Sequence, residues 1–326
     1  MKSERVLTAT MALAGALVLC GSAGAAEWQV PGDFRTIQAA IDSGLVKDGD
    51  VLRVQHGRRT GATVTKAVAI RAQGQVTIVD GPVVNSFGKG GFLFPGGGAG
   101  SGATLDGFLF EKVAFPVFSR GADDVSVTHN RMLMSNQGVT TWANGTWGKG
   151  WDITHNEIYG LRTSCGGGIG ILIGDYSGGT VTGNLIAHNE IRGRVRVPQG
   201  DCGGYNAPGI VLFADWRYSG DTGATITGNR VAKNRVYISS GSPALVTVAG
   251  VELSDTRNDP SDLRITDNAV VYNDLRGMDL PVALTPDELA PPVNRIERNL
   301  TGPLGHPPDH AFLTLRPAGV EAAPSR

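Results

Sequence analysis

The chain predicts an all-β repeat fold, a single-stranded parallel β-helix, on three observations. A short phrase recurs along it, glycine is abundant while aromatics are scarce, and one amphipathic helix stands at the N-terminal end of the repeats. The phrase is an alternating β-branched segment ending in Asn: Val125-Ser-Val-Thr-His-Asn130, Trp151-Asp-Ile-Thr-His-Asn156, Thr180-Val-Thr-Gly-Asn184, Thr225-Ile-Thr-Gly-Asn229, Leu263-Arg-Ile-Thr-Asp-Asn268 and Asn294-Arg-Ile-Glu-Arg-Asn299. Successive asparagines fall 26, 28, 45, 39 and 31 residues apart, a spacing that marks a repeat architecture. Alternation makes each phrase a strand, and Asn tolerates the left-handed turn that ends it. One strand and one Asn turn per coil, with loops absorbing the unequal intervals, describe a solenoid whose Asn130, Asn156, Asn184, Asn229 and Asn268 form one stacked ladder. The general preference for right-handed crossovers sets its hand.

Forty-seven glycines in 326 residues favour turns and close backbone approach over helix. The helix is read in Val30 to Gly44, with Asp33 as its cap, Phe34, Ile37, Ala40 and Ile41 on one face, and Gly44 as its stop. Such a helix covers the open end of a solenoid, where an unpaired strand edge would invite aggregation. At the other end Pro281, Pro286, Pro291, Pro292, Pro303, Pro307 and Pro308 deny a regular ladder, so a weak last coil and covering cap are expected from about 281. The domain reading is a signal peptide over 1–25, one β-helix domain over 26–315 and a tail over 316–326.

The export signal rests on Lys2 and Arg5, the apolar run Val6 to Cys20, and the small residues Ala23-Gly-Ala25. It places the mature chain in a secreted or periplasmic compartment, where disulfides persist. Cys165-Gly-Gly-Gly and Cys202-Gly-Gly-Tyr each lead into a similar apolar strand. Coils stacked about 4.8 Å apart would bring the two thiols within bonding range, so Cys165 and Cys202 are expected to pair. A net charge of −1 and a pI near 6.6 argue against a nucleic-acid partner. No apolar run after the first 25 residues is long enough to span a bilayer. The chain reads as a monomer.

Pro31-Gly-Asp-Phe-Arg-Thr-Ile-Gln-Ala-Ala-Ile-Asp42 followed by Gly49-Asp-Val-Leu-Arg-Val54 resembles the opening segment of the pectin lyase-like, right-handed β-helix superfamily, notably pectinesterases. The Asn-ended phrases resemble that superfamily's repeats, which extends the resemblance over about Trp28 to Leu315. It implies a polysaccharide substrate. The superfamily's catalytic motifs do not carry over. His56-Gly-Arg-Arg-Thr-Gly-Ala stands where pectinesterases have Gly-x-Tyr-x-Glu, and no Gly-His-Gly accompanies Asp123-Asp124. Asp259-Pro-Ser-Asp262 lacks the histidine of the alginate-epimerase Asp-Pro-His-Asp.

A second pattern carries the candidate site. Gly170-Ile-Leu-Ile-Gly-Asp175, Ile210-Val-Leu-Phe-Ala-Asp215 and Gly250-Val-Glu-Leu-Ser-Asp255 superpose at intervals of 40, with Val139 to Asn144 in the same frame. This alignment predicts a row of Asp175, Asp215 and Asp255 at the end of one parallel sheet. Oxygen ligands on such a row suit Ca²⁺, although Asp at a strand end is equally a turn former. Gly277-Met-Asp279 continues the strand, so Glu252 and Asp279 are expected side by side on the outer face, as an acid–base pair of the glycosidase kind. Arg217 and Arg257 would contact a substrate carboxylate, and Trp216, Tyr218 and Tyr176 would stack on sugar rings. Trp142, Trp147 and Trp151 either flank a groove or cover the core. His129 and His155, in register, read as turn residues.

Two functions follow. One is an exported lyase, hydrolase or epimerase acting on a uronate-containing glycan, with calcium as its possible cofactor. The other is a non-catalytic carbohydrate-binding or structural β-helix protein.

Overall fold

The computed structural model describes residues 24–85, 88–143, 145, 147–217 and 224–303. The expected signal peptide before 24 and the tail over 316–326 lie outside these, as do Asn144 and Tyr218. Strands dominate, and they stack in parallel as in a parallel β-helix.

One coil shows how the sequence builds the stack. The strand Asp152–Thr154 is followed by His155 in the left-handed region (φ 58°) and by Asn156, which turns the chain into Glu157–Arg162. The chain then bends into Ile169–Asp175, turns at Asp175, and passes through Thr180–Thr182 to the next coil at Leu185–Ala187. Parallel pairing repeats each element. Asp152–Thr154 lies between Ser126–Thr128 and Leu185–Ala187, while Glu157–Arg162 lies between Arg131–Ser135 and Glu190–Arg196. Ile169–Asp175 lies between Gln137–Ala143 and Tyr205–Ala214. The first two kinds of strand merge into a 15-stranded sheet through the long, bent strand Ala69–Asp80; the third forms a nine-stranded sheet. Ile153, Ile158, Ile171, Ile173, Ile186, Ile191, Ile210 and Leu212 point between the sheets into one continuous core.

The expected single asparagine ladder is two ladders. Asn130, Asn156, Asn189, Asn234, Asn273 and Asn299 form one, each Nδ2 donating to the Oδ1 of the next at 2.9–3.1 Å. Asn184, Asn229, Asn268 and Asn294 form the other at 2.8–3.0 Å. Backbone amides join in: the Asn156 N–H also donates to Asn189 Oδ1 at 3.0 Å. The recurring phrase crosses from one ladder to the other at Thr180, because the later coils gain an extra strand and a second Asn turn five residues ahead of the first. Trp151 occupies the second ladder's place in the coil before Asn184, and its amide donates to Asn184 Oδ1 at 2.7 Å.

A column of glycines marks the bend that leads into the nine-stranded sheet. A Cβ on Gly138, Gly170, Gly209 or Gly250 would lie 2.4–2.9 Å from the carbonyl oxygen of residue 170, 209, 250 or 281 in the next coil. It would also press on Ile158, Ile191 or Val236 of the opposite sheet, or on Leu275. None of these four glycines has a positive φ. Space, not backbone freedom, selects them.

The N-terminal helix spans Ile37–Asp42, with Ile37, Ala40 and Ile41 buried as the pattern predicted. Its cap is Thr36, whose Oγ1 accepts the Ala39 N–H at 3.1 Å; Asp33 instead accepts the Gln29 N–H at 2.7 Å. The proline-rich region contributes an edge strand, Leu280–Thr285, and a short strand, Arg295–Glu297. Cys165 and Cys202 are bonded, with Cα atoms 4.8 Å apart. Among the described residues no helix is long and apolar enough to cross a membrane.

Candidate functional site

The outer face of the nine-stranded sheet is where the sequence pattern placed its carboxylates, and strand register redraws them. Ile171 pairs with Ile210 and Ile210 with Val251, offsets of 39 and 41 rather than 40. Asp175 therefore aligns with Ala214, and Ala214 with Asp255. Asp215 sits one residue beyond that line, and on the other side it is Ala143 that pairs with Asp175.

Asp175, Asp215 and Asp255 are all buried, and each closes a turn. Oδ1 accepts the N–H two residues on: Ser177 at 2.5 Å, Arg217 at 3.0 Å and Arg257 at 2.9 Å. Arg217 also clamps Asp215 through Nε and Nη2 at 2.9 and 2.8 Å. Burial raises the pKa of Asp175 and of Asp255. A hard cation needs several oxygens converging on one point. Among the described residues no three His, Cys, Asp or Glu side chains do so, and no step is assigned to calcium.

Glu252 faces outward between Val211 and Ala283, at the position Leu172 holds two strands away. Asp279 is not beside it. Leu280 pairs with Ala249, which leaves Asp279 exposed in the turn before the edge strand, four residues short of Ala283. The Gly277-Met-Asp pattern mimicked a strand, but the strand that forms begins only at Leu280. Glu252 is a nearly buried carboxyl whose pKa burial pushes up, against the pull of hydrogen bonds with Asn206 and Ser254.

The candidate substrate-binding residues are largely engaged with one another. Arg257 covers Trp216 at 4.0 Å and pairs with Asp262 at 2.8 Å, while Arg217 pairs with Asp215 at 2.8 Å. Tyr176 belongs to a different array. Trp142 stacks on Tyr176, with ring centroids 5.7 Å apart and planes inclined 24°, and on Phe213 at 5.5 Å and 26°. Arg217 lies over Phe213 at 5.7 Å. Trp142 and Phe213 are two strands apart; they meet because Gly174 stands between them in the register and has no side chain. Val84, Phe115 and Phe118 pack as a small cluster against Trp142, which extends the apolar strip along the sheet. Trp151, by contrast, is core, with Nε1 donating to the Ala122 carbonyl at 2.8 Å.

Phe213 was missed in the sequence because it was aligned with Gly174's neighbour rather than with Gly174. On the opposite side of the coil, His129, His155 and His188 stack at 5.3 and 5.0 Å in the left-handed turn position, so the two expected turn histidines are three. Comparison with protein-family profiles, curated proteins and solved structures finds no match to this chain.

Proposed function

We propose that this chain is an exported, right-handed β-helix protein of the pectin lyase-like kind that binds polysaccharide across the outer face of its nine-stranded sheet, without cleaving it. The observation that carries the reading is the half-buried ladder Tyr176–Trp142–Phe213. Its rings are nearly parallel and fixed on a rigid sheet. Flat aromatic faces offer large contact area at little entropic cost to the apolar faces of sugar rings.

Glu252 favours a second reading, in which the protein is a hydrolase, lyase or epimerase and this carboxyl, its pKa raised by burial, acts as its acid. Glycoside hydrolysis uses a pair of carboxylates. Val211 and Ala283 flank Glu252 where a partner on the adjacent strands would stand. Binding without turnover is therefore the better-supported function.

Incubation with a panel of pectins, alginates and neutral glycans tests both readings. Retention on at least one glycan, with neither new reducing ends nor unsaturated-product absorbance, is expected. Product formation that Glu252→Gln abolishes would transfer the assignment to the enzyme, and no retention on any glycan would overturn both.

A further inference from the structure

A concavity lies away from the outer-face ladder, on the stack formed by Leu109–Glu111, Arg131–Ser135, Glu157–Arg162, Glu190–Arg196 and Arg235–Ser240. It encloses about 610 Å³ and is lined by Lys112, Arg162, Arg194 and Arg196, with Met134 and Pro198 among its apolar contacts. We propose that this groove is a binding site for an acidic glycan, a sugar chain carrying carboxylate or sulfate groups.

The groove is built by the backbone. Lys112, Met134, Gly160 and Gly193 all have positive φ (57°, 60°, 69° and 99°) at about the same level of successive strands. The resulting column of irregularities bends the stack and re-aims the residues that follow. Beyond the bend, Arg162 and Arg196 are direct partners on adjacent strands. Like charges in that relation oppose each other, and a sheet built only for stability would alternate them. Five residues earlier the row Arg131, Glu157, Glu190 also sets like charges side by side, but each acid there bonds an arginine, Glu157 with Arg131 at 3.0 Å and Glu190 with Arg192 at 3.2 Å.

None of the four cations forms an ion pair among the described residues; Arg194 donates only to the Gly241 carbonyl, at 3.2 Å. The acid on the adjoining loop, Asp201, is already occupied. It accepts from Thr163 Oγ1 at 2.7 Å, the Tyr205 hydroxyl at 2.5 Å, and the Cys165 and Gly203 amides at 3.2 Å. These bonds and the Cys165–Cys202 bridge hold the loop that carries Pro198, so the wall is formed before any ligand arrives. Guanidinium forks match carboxylate and sulfate oxygens in pairs. Tyr159, 52% exposed and stacked on Arg192 at 5.7 Å, provides a sugar-sized face on the same stack. A chain with net charge −1 that gathers four unpaired cations in one groove is not a general polyanion binder, which favours a glycan over nucleic acid.

Calorimetric titration of the full chain tests the site with four probes: a short oligogalacturonate, a sulfated oligosaccharide, a neutral oligosaccharide of equal length and a single-stranded oligonucleotide. At least one acidic sugar should bind with an affinity that falls as salt rises, and the two acidic arms tell carboxylate from sulfate. Arg162→Ala/Arg196→Ala should weaken that binding at least tenfold. Both arginines are exposed, so the variant's melting temperature should be no lower than wild type. Unchanged acidic-sugar affinity in the double variant would overturn the site while leaving the outer-face reading untouched. Tighter binding of the oligonucleotide than of either acidic sugar would overturn the glycan assignment.

Discussion

Replacing Asn189 by alanine should cost about 3 kcal/mol of stability, and the bonds around it show why. Its Nδ2 donates to the Ile153 carbonyl at 2.8 Å and to Asn234 Oδ1 at 3.0 Å; its Oδ1 accepts the Asn156 N–H and Nδ2, each at 3.0 Å. After truncation Asn156 Nδ2 keeps the Val127 carbonyl, and Asn234 Oδ1 keeps the Asn189 N–H. The Asn156 N–H and the Ile153 carbonyl each lose a partner in a fully buried setting. An unsatisfied buried group costs about 1–3 kcal/mol, and a carbonyl with a second lone pair sits at the low end. Asn299, at the end of the same ladder, is only partly buried, so groups freed by Asn299→Ala can reach water, and that loss should stay near 1 kcal/mol. Equilibrium urea unfolding of both variants, with unchanged m-values, reads the difference. A loss at Asn189 below about 1 kcal/mol, or no larger than at Asn299, would refute the ladder's role.

Further perturbations probe the bend, the bridge and the titrating groups. Gly170→Ala places a Cβ 2.4 Å from the Gly209 carbonyl and 2.9 Å from Ile191, and should cost about 1–3 kcal/mol by thermal melting. Gly44→Ala, with nothing within 4 Å, should be neutral or slightly stabilising. Cys165→Ser/Cys202→Ser opens a loop of 37 residues and should cost about 4 kcal/mol on the chain-entropy account, measured under non-reducing conditions. Arg276 and Tyr237 hold the Asp274 carboxyl down at about 2, so it contributes on the order of 2 kcal/mol above its ordinary range. Asp274→Asn should lose that amount at neutral pH, and the gap to wild type should close as pH falls through about 2. Glu252 has the opposite sign. The unfolded chain releases its proton first, so stability declines as pH rises from the ordinary glutamate range to the raised folded value. Glu252→Gln should therefore match wild type in acid and exceed it at neutral pH.

The sequence made the repeats legible wherever period-two alternation ended in a turn residue, which is why the strands at Val127, Ile153, Val181, Ile226 and Ile265 are found where expected. It also carried the disulfide, because each cysteine precedes the same glycine-rich approach to a strand. Two things were hidden. The phrase looks alike in both asparagine ladders, since each needs a strand, a left-handed residue and an Asn; only pairing distinguishes them. Equal 40-residue intervals suggested in-register aspartates, yet turns of unequal length shift the middle strand by one residue and place Ala214 between Asp175 and Asp255. The same shift hid the stacking of Phe213 over Gly174. The cationic groove was invisible for a related reason, as Lys112, Arg162, Arg194 and Arg196 share no motif and are gathered only by the bend in the stack.

The most direct test of the functional account is a titration of the glycan retained in the panel, as a soluble oligosaccharide, followed by calorimetry in wild type and Trp142→Ala. Losing the central ring of the ladder removes about 1 kcal/mol or more of stacking, so the affinity of the outer-face site should fall at least about fivefold with the fold intact. Equal affinity in the two proteins would contradict the account.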